Sequence, residues 1–225
     1  MAGRRASLGR GGAGDHMGVR MSGTACYGAD MSEVARKVPT VMDTAEFLAW
    51  DAPSGNHWQL VDGEPQAMAP ASRTHGILQA ELGRLIGNHL AARAPECTVV
   101  TNPGTIPRIR ADANFRIPDL AVTCSEYLVE EYDVSEPVLI IEILSPTNKT
   151  ETWTNVWAYT TIPTVREILI LHSVRIRAEL LRRDDIGQWP ERPVITEDGA
   201  LELASIGFSA PLQSVYRGTR LTSNA

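Results

Sequence analysis

Apolar residues recur at helical spacing at Ile77, Leu78, Leu82, Leu85, Ile86 and Leu90. Ser72 or Thr74 can cap the start of this run and Pro95 stops it, so a helix is predicted from there to about Arg93. A shorter helix over residues 45–50 follows a cap at Asp43 or Thr44. The segment from Trp58 to Met68 reads as two short strands around an Asp62-Gly63 turn. Further strands are expected over residues 97–101, 105–110, 119–123 and 138–144. The last is almost continuously apolar and therefore central in a sheet. A second helix over residues 151–161 comes next, then strands over 167–171 and 174–181 that could form a hairpin, and a short strand over 201–203. This order fits one α/β (α+β) domain, a mixed sheet with helices packed against it.

Residues 1–40 interrupt the patterning: they are rich in Gly, Arg and Ser and show no periodicity. They read as a disordered or mis-started N-terminal tail, with the domain over residues 41–225. Arg4 and Arg5 lack the following apolar stretch of a secretion signal. No apolar run approaches the roughly 18 residues of a membrane span. Hydrophobic residues are 43% and charged residues 21% of the chain, a globular balance. The net charge of −6 argues against coating nucleic acid by bulk charge but leaves room for a local groove. The three cysteines, Cys26, Cys97 and Cys124, are odd in number, widely spaced and without a CxxC. No disulfide framework is expected, Cys124 reads as a buried small hydrophobe, and a cytoplasmic, reducing setting fits.

One residue is out of place in the central strand. Val138, Ile140, Glu142 and Leu144 share a face, and a carboxylate in such a run needs a cation or a proton. The Pro118-Asp119 step opens another predicted strand, so two acids could converge if the strands are neighbours. Two carboxylates at close range suit a divalent cation, and oxygen ligands favour Mg²⁺ or Mn²⁺. The alternative is that Glu142 pairs with Arg166 or Arg116 and Asp119 only accepts hydrogen bonds.

A set of short pieces in fixed order accompanies these acids: Thr44-Ala-Glu-Phe-Leu48, Leu60-Val-Asp-Gly-Glu64, Met68-Ala-Pro-Ala-Ser72, His75-Gly76, Pro118-Asp119, Ile141-Glu-Ile-Leu-Ser-Pro146, Tyr159, Ile162-Pro163 and Arg166-Glu167. On these pieces the chain, from Val41 onward, resembles the Uma-two family of restriction-endonuclease-like proteins, itself similar to the PD-(D/E)XK nucleases. The resemblance implies a restriction-endonuclease-like central mixed sheet flanked by helices, with the acids on adjacent strands. It also implies metal-dependent hydrolysis of a nucleic-acid phosphodiester, in DNA, with Asp119 and Glu142 as catalytic metal ligands.

The chain departs from that pattern where a lysine belongs. Leu144 stands two residues after the acid, and Asn155 stands four residues before Tyr159, where many relatives place the lysine. Asparagine can position water or phosphate but carries no charge. The only lysines are Lys37, near the tail, and Lys149, which is read in the loop before the helix and could reach back or simply be solvated. Glu151, Asn155 and Tyr159 lie four apart on a stripe that could face the acids, while Trp153, Val156, Trp157 and Thr160 read as the packed face. His75 could meet a phosphate at a helix N-terminus or merely cap it. Glu64 could be an outer-shell ligand or a surface residue, and Gln59 stands where relatives carry glutamate. Ser145 organises the turn after the central strand, and Arg175 and Arg177 line a hairpin face. Two functions stay open: an Mg²⁺-dependent endonuclease, plausible as a homodimer because cutting both strands uses two sites, or a binding or regulatory protein that kept the fold and lost efficient catalysis.

Overall fold

The apolar run around Glu142 becomes the middle of the sheet because both of its faces are covered. This is seen in a computed structural model, which describes residues 38–222; the expected tail, Lys37 included, lies outside the described residues up to residue 37. In chain order the elements are α1 (Thr44–Ala49), β1 (Trp58–Val61), β2 (Glu64–Ala67), α2 (Arg73–Arg93), β3 (Thr98–Thr101), β4 (Leu120–Thr123), β5 (Pro137–Leu144), α3 (Lys149–Tyr159), β6 (Glu167–His172), β7 (Ala178–Arg182), β8 (Val194–Thr196), β9 (Ala200–Leu203), β10 (Phe208–Pro211) and α4 (Leu212–Val215).

Six strands form the main sheet in the order β3-β4-β5-β6-β7-β8. Only β5 and β6 run parallel, joined by the crossover through α3 as parallel neighbours require. Strand alternation sorts the core in two. Leu120, Val122, Ile141, Ile143, Leu169 and Leu171 meet Leu78, Leu82, Ile86 and Leu90 of α2. Ala121, Ile140, Ile168 and Ile170 meet Val156 and Tyr159 of α3. The restriction-endonuclease-like sheet between helices is thus the architecture observed. No helix among the described residues is long and apolar enough to cross a membrane.

Local chemistry explains the element ends. Asp43 and Glu46 close a reciprocal capping box on α1. Ser72 accepts from His75 N at the start of α2. Asp62 and Gly63 both take positive φ, 52° and 90°, the turn that joins β1 to β2. Residues 105–110 do not form the expected strand: only Thr105 pairs, with Arg116, and Arg110 turns left-handed at φ 44° into the 3-10 turn Ala111–Ala113. Pro103 and Pro107 remove the donors a ladder there would need. The strand expected over 174–181 shortens to Ala178–Arg182, which pairs with β6. Arg177, instead of alternating on an open face, holds Glu179 and Glu197.

The cysteine expectation is corrected. Cys97 and Cys124 are joined in a disulfide, and Cys124 is exposed rather than buried. The reason is register: Thr98 pairs with Thr123, so the residues just outside that pair face each other across β3 and β4. Counting cysteines cannot reveal such a pairing. The bond closes a separation of 27 residues, worth about 3 kcal/mol by loop-closure entropy. Cys97→Ser with Cys124→Ser should lower the midpoint by several degrees in a non-reducing thermal melt, and the wild type should follow on adding dithiothreitol.

Candidate active site

The sheet register builds the centre. Leu120 of β4 pairs with Ile141 of β5; one step along the same antiparallel register, Asp119 stands opposite Glu142. Both project from the α3 face, because Asp119 shares parity with Ala121 and Glu142 with Ile140. Asp119 Oδ2 accepts from the Ile143 backbone N at 2.6 Å, and its Oδ1 lies 2.6 Å from His75 Nε2. The Asp119 carbonyl accepts from Asn102 N and Gln79 Nε2. Its carboxylate is therefore fixed from two elements, α2 through His75 and β5 through Ile143.

Glu142 is 7% exposed and accepts one hydrogen bond, from the Tyr159 hydroxyl at 2.9 Å. Burial, and after it the neighbouring Asp119 charge, push its proton affinity well above the ordinary carboxylate range, against the lowering effect of the Tyr159 bond. Burial also drives the Tyr159 phenol upward, so it serves as a donor. Neither Arg166 nor Arg116 pairs with Glu142, and Arg166 is exposed. Among the described residues no group of three or more His, Cys, Asp or Glu side chains is placed to hold a metal ion.

Helix α3 supplies the wall, and its burial reverses part of the expectation. The stripe of Asn155 and Tyr159 is buried together with Thr152 and Val156. Trp157, expected in the core, is 48% exposed and lies against Trp153 with ring centroids 6.0 Å apart. The tryptophan spacing is helical, but the face of α3 that packs against β5 and β6 is the one carrying Thr152, Asn155, Val156 and Tyr159. Asn155 Oδ1 accepts from Arg116 Nη1 at 2.6 Å, and its Nδ2 reaches Gln59 Oε1 at 3.4 Å. Gln59 in turn donates to Glu151 Oε1 at 2.9 Å.

The remaining candidates separate. His75 is a partner of Asp119, not only a helix cap. Lys149 is the first residue of α3 rather than a loop residue, and it is exposed with no hydrogen bond to either acid. Glu64 is exposed beside the β1–β2 turn, and Gln59 is the residue of that hairpin that enters the wall. Leu144 packs in the core. Ser145 organises its turn with Asn148, as expected. Arg116, which the sequence offers only as a possible partner of Glu142, enters the site through Asn155 instead. Its signal was slight: a lone basic residue between Phe115 and Ile117.

Comparison with known proteins gives the family and the fold. Residues 44–213 match the Uma2 family, described as "Putative restriction endonuclease". An uncharacterized protein of Synechocystis sp. is 27% identical over 175 residues, 77% of this chain and 90% of that one. A crystal structure described as a putative nuclease of DUF820 from Anabaena variabilis superposes with a TM-score of 0.63 at 13% identity, covering 78% of this chain and 97% of that one; at that identity it shows the shared fold.

Proposed function

Since the chain belongs to the Uma2 (Uma-two) family, we propose that it is a metal-dependent endonuclease that hydrolyses DNA phosphodiester bonds at Asp119 and Glu142. The observation that carries this reading is the placement of a half-buried carboxylate, Asp119 just ahead of β4, opposite a buried one, Glu142 of β5, whose proton affinity is strongly raised. Such a pair is poorly stable without a cation or a proton. The donor set fits Mg²⁺ or Mn²⁺, which take one or two carboxylates and complete their shell with water and substrate phosphate. When bound, the ion supplies an activated water and neutralises charge on the attacked phosphate.

The chain's own residues do the rest. His75 and the Ile143 backbone N–H hold Asp119 in one orientation. Tyr159 holds Glu142 by its Oε1 and leaves the other oxygen without a hydrogen bond among the described residues. Asn155 and Gln59 form a neutral wall beside them. A homodimer fits the need for two sites to cut two strands; the Cys97–Cys124 bond favours an oxidising compartment over the cytoplasmic setting expected from the cysteine spacing.

The runner-up is a nuclease-fold protein that binds nucleic acid without efficient cleavage. It is favoured by Leu144 in the core and by Asn155 in the lysine position. A nicking assay decides between them. Supercoiled plasmid with Mn²⁺ should be converted to open-circle and linear forms, and EDTA should stop the conversion. Duplex binding with no Mn²⁺-dependent nicking would instead establish the runner-up.

A further inference from the structure

Arg116 carries a charge that no carboxylate among the described residues neutralises directly. The residue is 3% exposed, and among the described residues no carboxylate lies within 4.0 Å of its guanidinium. It is held by neutral oxygens instead: Nε and Nη2 donate to Asn114 Oδ1 at 3.1 and 2.8 Å, and Nη1 donates to Asn155 Oδ1. Asn114 is itself pinned, since its Nδ2 donates to Asp62 Oδ1 and to the Ile109 and Arg110 carbonyls. The backbone is fixed by a two-way pairing with Thr105. Asp62 and Glu151 feel the charge only from a distance, and both are exposed and screened by water.

Burying a cation without a counter-ion is heavily penalised. A purely structural clamp between Asn114 and Asn155 needs donors, not a charge. The position is also particular. Asn155 lies one helical turn from Tyr159, the phenol of Tyr159 bonds Glu142, and the guanidinium acts on that phenol. The charge therefore sits directly behind the two residues that wall the acid pair, in a site lacking a lysine at Leu144 and Asn155.

We infer that Arg116 is the fixed cation of this site: its charge serves the phosphate anion of the substrate across Asn155 and Tyr159, in place of the missing lysine. Asn155 is the positioning residue that aims the guanidinium. This rests on the phosphodiester reading above. It goes further in assigning the charge to a residue 26 positions from the second acid in sequence.

The test uses a fluorescein-labelled DNA duplex, with Ca²⁺ present to prevent cleavage, and binding read by anisotropy. Arg116→Gln should weaken binding about tenfold, the loss of one charge-assisted contact. Arg116→Lys should stay within about threefold of wild type. Arg116→Gln with Asn155→Lys, which moves the cation by one hydrogen bond, should regain most of the loss. Mn²⁺ affinity by calorimetry should stay within about twofold in the single Arg116 variants, since the metal ligands are untouched. Circular dichroism melts confirm folding; if Arg116→Gln does not fold, Arg116→Lys carries the comparison alone. A folded Arg116→Gln that binds duplex like wild type, a loss that Asn155→Lys does not restore, or a folded Arg116→Lys that has lost binding would each overturn the inference and leave the nuclease reading standing. A wild type that takes up Mn²⁺ but binds no duplex would overturn both.

Discussion

Asp119→Ala or Glu142→Ala is expected to abolish one-site Mn²⁺ binding and to reduce DNA cleavage on the order of a thousandfold, the rate equivalent of several kcal/mol of charge stabilisation. Among the described residues no group of three or more His, Cys, Asp or Glu is placed to hold a metal ion, so a centre built on two carboxylates has no third such ligand to compensate for losing either. Calorimetric titration of Mn²⁺ reads the first effect, and nicking rates read the second. His75→Ala should be milder, about 10- to 100-fold in metal affinity, because it removes a group that orients Asp119 and not a ligand. The substitutions also part on stability. Asp119→Ala leaves the Ile143 N–H without its acceptor, which costs about 1–3 kcal/mol. Glu142→Ala removes a buried carboxyl that the metal-free protein keeps protonated, or ionises at a loss at higher pH, although it leaves a cavity. Intact Mn²⁺ binding in a well-folded Glu142→Ala protein would dismiss the proposed centre.

Much of this centre was legible because it is written in short-range patterns. An eight-residue apolar strand broken by one acid identifies Glu142, and the PD step identifies Asp119; strand parity then puts both on one face. The caps at Asp43 and Ser72 and the Asp62-Gly63 turn are equally local. What stayed hidden depends on contacts between distant segments. Arg116 meets Asn155 across 39 residues, and nothing around Arg116 marks it as buried. On α3 the stripe expected to face the acids is also the buried one, whereas hydrophobicity alone puts the tryptophans in the core, and Trp157 is 48% exposed. The Cys97–Cys124 bond follows from strand register alone. β8, β10 and α4 are too short to show a period.

The second large effect is competition between proton and metal at Glu142. Burial, and then the Asp119 charge, raise its proton affinity in the folded chain, so the metal-free site holds a proton at pH values where an exposed glutamate has lost it. A cation must displace that proton. Mn²⁺ affinity should therefore rise about tenfold per pH unit above the ordinary glutamate range and level off once Glu142 ionises by itself. The sign for stability is opposite to the usual carboxylate case. With the folded value above the unfolded one, the unfolded chain binds fewer protons. Stability is then fully present below 4.5 and falls as pH rises from 4.5 through the folded value, at up to about 1.4 kcal/mol per unit. Glu142→Gln keeps an acceptor for Tyr159 and cannot ionise. It should melt at least about 2–4 °C above wild type at mildly alkaline pH, with the gap closing as pH approaches 4.5. Mn²⁺ should close the same gap from the other side, by stabilising only the wild type. Thermal melts across this pH range, with and without Mn²⁺, measure all three effects; parallel melting curves for the two proteins at every pH would show that Glu142 carries no raised proton affinity and that the acid pair is not under the strain the metal is proposed to relieve.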